Sequence, residues 1–164
     1  MRTPESFLTL VAELEGDFRE LRRIMSQNRR AWERIRTGAA DPLDWGALGF
    51  TIHSAYGILE NYFRRVSIFF ENSLPPYGWQ KALVEKMALE IPGVRPALLA
   101  EESLKGRALV LLKFRHRFRN LSGEDLDPEK TAEVHQIANL FADSFSNSHT
   151  DFVAKLRAIA EELK

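Results

Sequence analysis

Apolar residues recur along this chain at intervals of three and four, and nowhere with the two-residue alternation of a half-buried strand. From Phe7 to Ile35 they keep a heptad: Phe7, Val11, Leu14, Phe18, Leu21, Met25, then Trp32 and Ile35, with Asn28 the one polar entry. Thr3 as N-cap, Pro4 at the first position and Gly38 as stop predict a helix from about Pro4 to about Arg36. A single buried Asn in such a seam fixes register or pairing. The other face carries Arg19, Arg22, Arg23, Arg29, Arg30 and Arg34 among glutamates. That is the pattern of a solvated face or, on a second reading, of a surface that tracks RNA.

Asp41-Pro42 caps and opens a second helix that the apolar spacing carries to about Asn72, seamed by Trp45, Leu48, Ile52, Tyr56, Leu59, Phe63, Val66 and Phe70. On one flank His53, Gly57, Glu60 and Arg64 fall at i, i+4, i+7 and i+11. Gly57 costs the helix about 1 kcal/mol relative to alanine, and it lets another backbone or a ligand come close. The competing reading of this flank is a surface Glu60–Arg64 pair worth about 0.3–0.5 kcal/mol. Leu74-Pro75-Pro76-Tyr77-Gly78 breaks the chain. A short helix from about Trp79 to Glu90 follows, with Leu83, Met87 and Ile91 inward, then an ordered loop, 91–96, anchored by Ile91 and Val94. A fourth helix begins near Ser103 and stops at Ser122-Gly123; Asp127-Pro128 opens a fifth, with His135 and His149 on its flanks. The expected fold is all-α: one domain over 1–164, an up-and-down bundle of about five helices, three long and two short.

Composition narrows the function. The 164 residues suit a single core, and formal net charge is zero, so any nucleic-acid contact must use a local patch. Charge is in fact blocked: Ser103 to Gly123 holds six Lys/Arg and no acid, and Glu124, Asp125, Asp127 and Glu129 follow. With no cysteine, disulfides and thiol catalysis are excluded. The first residues do not read as a signal peptide, and no apolar run approaches the ~18 residues of a membrane span. A cytoplasmic protein without metal or cofactor is the expectation.

The densest chemistry lies in the stretch Lys113 to Ser122, which combines four cations with His116, Asn120, Phe114 and Phe118. On a helix Leu104, Ala108, Leu111, Phe118 and Leu121 share the core stripe, Arg115 and Ser122 project within it, and Arg119 lies beside them. His116 and Asn120 form a row on the adjacent flank. An arginine bound for burial is expensive unless an anion or an acceptor meets it. The alternative is that these cations complement the helix macrodipole and cap its last carbonyls. As a site, the set suits a phosphodiester: guanidiniums stabilise charge on phosphate oxygens, imidazole moves protons, and the 2′-OH of RNA supplies the nucleophile. Phe114, Phe118, Trp79 and Tyr77 are of the type that stacks unpaired bases, or fills a core.

The pattern of an arginine, four residues, histidine or asparagine, one residue, then tyrosine or serine, at the end of a fourth helix, resembles the HepT-like branch of the HEPN superfamily. So do Tyr56 to Phe63, the Pro-Pro-Tyr-Gly-Trp79 approach to helix three, and Ile91 to Pro96; the likeness spans roughly residues 45–130. It implies a ribonuclease toxin acting as a homodimer with R-x4-6-H-x-Y motifs near the interface. It further implies a partner, a minimal nucleotidyltransferase (MNT) antitoxin that silences the toxin by AMPylation of the motif tyrosine. Carried onto this chain, Arg115 and Arg119 hold the scissile phosphate, His116 transfers protons and Asn120 orients it or the RNA. Ser122 occupies the modification position, and Glu60 is a supporting residue that orients a basic side chain. Two positions depart from the family: Asn120 stands at the histidine and Ser122 at the tyrosine. Asn120 cannot act as acid or base, which keeps open a non-catalytic module that binds the nucleotidyltransferase or RNA. A purely scaffolding helical dimer, argued from the Asn28 heptad, is the third reading.

Overall fold

The computed structural model describes residues 2–38, 40–72, 74, 78–121 and 126–164. They form five helices: α1 (Pro4–Arg36), α2 (Pro42–Glu71), α3 (Trp79–Met87), α4 (Glu102–Arg119) and α5 (Pro128–Glu162). As the periodicity predicts, three are long and two are short, and no strand occurs among the described residues. Each long helix starts from the same device, a capping side chain followed by proline. Thr3 and Ser6 exchange side-chain and backbone hydrogen bonds at 3.2 and 3.0 Å, closing a capping box at α1. Asp41 Oδ1 accepts from the amides of Leu43 and Asp44, and Asp127 Oδ1 from those of Glu129 and Lys130. Asn72 in the left-handed region (φ 52°) ends α2.

Among the described residues α1 packs on α2 and α5 but not on α4, whereas α4 packs on α2 and α5. The four helices therefore close a ring in the order α1, α2, α4, α5. The α2–α4 edge and the α1–α5 edge lie on opposite sides. Tyr56, Tyr62, Phe63, Phe141, Phe145 and Phe152 fill the centre with side chains that are almost wholly buried, each worth very roughly 2–3 kcal/mol in apolar area.

Polar residues inside this ring set its register. Asn28 is fully buried; its Nδ2 donates to Thr51 Oγ1 at 2.9 Å and its Oδ1 accepts from Asn139 Nδ2 at 3.1 Å. One amide thus ties α1 to α2 and α5, as the break in the heptad suggested. The Asn28 seam is used inside the chain, which removes the argument for a scaffolding dimer.

His135 and His149 are not flank residues: both are buried. His135 stacks on Trp32, with centroids 4.6 Å apart, and His149 on Phe18, at 4.2 Å, while Tyr62 Oη lies 2.8 Å from His149 Nδ1. An imidazole completes an aromatic core well when its nitrogen finds a partner, and sequence spacing does not register that partner.

α3 stops at Met87, short of the expected Glu90, because the loop after it claims its last carbonyls. Arg95 donates to Lys86 O (2.8 Å) and Leu89 O (3.0 Å), and the amides of Leu98 and Leu99 both donate to Met87 O. The loop's anchor is Arg95, whose side chain is buried against Glu71; Val94 is exposed and Ile91 only half-buried.

Candidate functional site

The last two turns of α4 divide by facing. Leu111, Leu112 and Phe114 are buried, Phe118 is half-buried, and His116, Arg117, Arg119 and Asn120 are exposed. Arg115 alone among the cations leans inward, half-buried against α2. Its Nη1 donates to the backbone oxygen of His53 at 3.0 Å. That carbonyl already serves the α2 ladder, so the guanidinium takes its second lone pair.

The seat is made by what α2 lacks. A Cβ added to Gly57 would lie 2.5 Å from Arg115 Nη1 and 3.3 Å from its Cζ, so any side chain there evicts the guanidinium. Two turns earlier on α2, a Cβ on Gly49 would lie 2.8 Å from Phe118 Cε2. Gly49, His53 and Gly57, at i, i+4 and i+8, thus form one stripe that receives Phe118 and Arg115 from α4. The His53 ring lies between, 5.2 Å from the Phe118 ring and 6.5 Å from that of the exposed Phe50.

Two polar atoms in this seam are buried without a hydrogen-bond partner among the described residues, His53 Nδ1 and Tyr56 Oη. Burial first, and then the positive charges of Arg115 and Arg119, push the His53 imidazole below its ordinary value, so it is neutral near pH 7. Burial and then the charge of Glu60 push the Tyr56 phenol up, and Arg115 only partly offsets them. A neutral imidazole and a neutral phenol therefore stand beside a fixed guanidinium.

On the solvent side, His116, Arg119 and Asn120 line one recess of about 260 Å³. Asn120 is the C-cap of α4, and its Nδ2 donates to His116 O at 2.9 Å. The amide, not a cation, closes the helix end, which leaves Arg119 without an ion pair among the described residues. The structure thus brings His116, Arg119 and Asn120 to one recess and sets Arg115 one turn away against α2. Ser122 and Tyr77 lie outside the described residues. Glu60 is half-buried on α2 and holds no basic side chain among the described residues; Arg64 lies instead over the Trp79 ring, 5.5 Å from its centroid. Phe114 is core.

No group of histidine, cysteine, aspartate and glutamate suited to a metal ion occurs among the described residues. None of their helices is long and apolar enough to cross a membrane.

Compared with known families, residues 47–156 match the family described as HepT-like protein. The chain belongs to the HepT-like proteins. The match begins inside α2 and ends inside α5, so it takes in the whole Gly49–Gly57 stripe and all of α4, and leaves α1 outside. Searches of curated proteins and of solved structures find no match.

Gly49 and Tyr56 join this candidate site of the HepT-like chain beside His53 and Gly57, which the spacing along that flank already marks. The signal for Gly49 is in the sequence: it repeats the Gly57 position two turns away, with His53 midway.

Proposed function

We propose that this HepT-like chain is the ribonuclease toxin of a toxin–antitoxin pair, acting as a homodimer. The observation that carries the reading is the seat of Arg115: a guanidinium held by the His53 carbonyl over Gly57, beside a recess lined by His116, Arg119 and Asn120. Guanidiniums held in place before the substrate arrives stabilise charge that develops on a phosphate. Arg115 and Arg119 bind the scissile phosphate, and His116 is the group that moves protons. The 2′-oxygen attacks phosphorus as its proton leaves, the bond from phosphorus to the 5′-oxygen breaks, and that oxygen departs with a proton. A 2′,3′-cyclic phosphate and a 5′-hydroxyl result. Asn120 fixes the end of α4 on which the other three stand. The exposed Phe50, next to His53, is an apolar surface for the second copy to cover. An MNT-type nucleotidyltransferase is the antitoxin, and the hydroxyl of Ser122 takes the position that AMP modifies.

The test is cleavage of total RNA by the purified chain. Arg115→Ala is expected to lower the rate on the order of a hundredfold to a thousandfold, and His116→Ala on the order of a hundredfold or more. A second reading, a module that binds RNA or the nucleotidyltransferase without cutting, is favoured by Asn120, whose amide is committed to the His116 carbonyl and carries no proton to transfer. Intact RNA with the parent chain, together with retained binding, decides for that reading.

A further inference from the structure

On the edge of the ring opposite α2–α4, a groove of about 820 Å³ runs between α1 and α5. Its floor is Leu21 and Met25, both buried, and its rim carries Arg19, Arg22, Arg23 and Arg29 from α1. Glu20 engages Arg23 at 2.9 Å. Arg19, Arg22 and Arg29 are exposed and have no ion pair among the described residues. Across from them α5 contributes Asp143 and Ser146, so with Arg23 held by Glu20 three guanidiniums face one carboxylate. In a chain of zero formal net charge, such a local excess of cations needs an explanation of its own.

The spacing selects the ligand. From Arg19 to Arg29 the helix rises about 15 Å, too far for one phosphate to meet all three free guanidiniums. An extended polyanion meets them in turn. The aromatic among the described lining residues, Phe18, is half-buried and stacked on His149, and no amide side chain stands there to read a base. The rest of the apolar floor is buried and offers no protruding anchor of the kind protein partners bury. Arginine forks with serine hydroxyls beside them (Ser26 and Ser146) are the donors that phosphodiesters take.

We propose that the α1–α5 groove binds the phosphodiester backbone of an RNA strand without sequence preference, as a second contact remote from the end of α4. That the strand is RNA rests on the ribonuclease reading above; that it is a polyphosphate rests on the groove alone. The experiment is fluorescence anisotropy of a labelled single-stranded RNA over a salt series. The parent chain is compared with the triple variant Arg19→Gln/Arg22→Gln/Arg29→Gln and with the corresponding triple Lys variant. Losing three phosphate contacts lowers the slope of log K against log salt by about 2, at about 0.7 per contact on a single strand. The loss is the same for RNAs of different sequence, and the Lys variant keeps the parent's slope. Should the Gln triple fail to fold, the three single Gln variants read the same quantity, about 0.7 each. Affinity and slope unchanged in the Gln variants overturn the proposal, as does binding of polyglutamate in preference to RNA. The two readings fail separately. A parent that binds RNA through these arginines but never cuts sinks the ribonuclease and leaves the groove. Groove variants that bind like the parent, with cutting lost in Arg115→Ala, do the reverse.

Discussion

At the scale of single residues, Gly57 carries more of the site than any charged group does. Its missing Cβ is the space that Arg115 Nη1 occupies. In Gly57→Ala the clash falls on the far end of a flexible side chain, so the guanidinium swings away and the backbone stays. The helix gains about 1 kcal/mol of propensity. The expected outcome is a melting temperature equal to or above the parent's, with RNA cleavage lowered as far as in Arg115→Ala; cleavage kept at the parent's rate contradicts the seat. Half of this was legible beforehand. Gly57 among polar neighbours, and an arginine in the core stripe of α4, each marked an anomaly in its own helix. That the two anomalies meet is a tertiary fact, and no periodicity within one helix contains it. His135 and His149 read wrongly for the same kind of reason: imidazole beside apolar neighbours looks like a flank until Trp32, Phe18 and Tyr62 arrive from other helices.

Whole elements are legible in the sequence where their ends are written in local chemistry. Thr3-Pro4, Asp41-Pro42 and Asp127-Pro128 place the starts of α1, α2 and α5, because capping needs only neighbours in sequence. The end of α3 is different, since it is set by Arg95 eight residues after Met87. Arg95 also holds Glu71 at 2.8 Å. Burial pushes the Glu71 carboxyl up, but hydrogen bonds from Ser67, Arg95 and Lys86 outweigh it and keep the group below its ordinary range. Arg95→Ala strips Glu71 Oε1 of its guanidinium, leaving Ser67 and Lys86 on Oε2, and takes the same donor from the Lys86 and Leu89 carbonyls. The variant is expected to lose about 3 kcal/mol in urea unfolding, with RNA cleavage by the folded fraction unchanged. A loss under about 0.5 kcal/mol, the range of surface substitutions, contradicts the anchoring role.

For the molecule as a whole, three histidines answer to pH in one direction. Burial holds His53, His135 and His149 below their ordinary value of 6.5, with Arg115 and Arg119 adding to the shift at His53. Above that value both folded and unfolded chains carry neutral rings, and the stability is fully present. As pH falls below it the unfolded chain takes up protons that the folded chain resists, and stability is lost down through the depressed folded values. Calorimetry between about pH 7.5 and about pH 5.5 is expected to show a falling melting temperature, and a smaller fall in His135→Gln; a flat profile contradicts the burial. At this scale the charge blocks of the sequence take on spatial meaning, since the cations of α4 and those of α1 lie on opposite edges of one ring. Whether the end of α4 works on an RNA phosphate is decided by the ends of the cut RNA. The prediction is 2′,3′-cyclic phosphate and 5′-hydroxyl termini with the parent chain, absent with Arg115→Ala. Termini carrying a 5′-phosphate, or identical fragments from both proteins, contradict it.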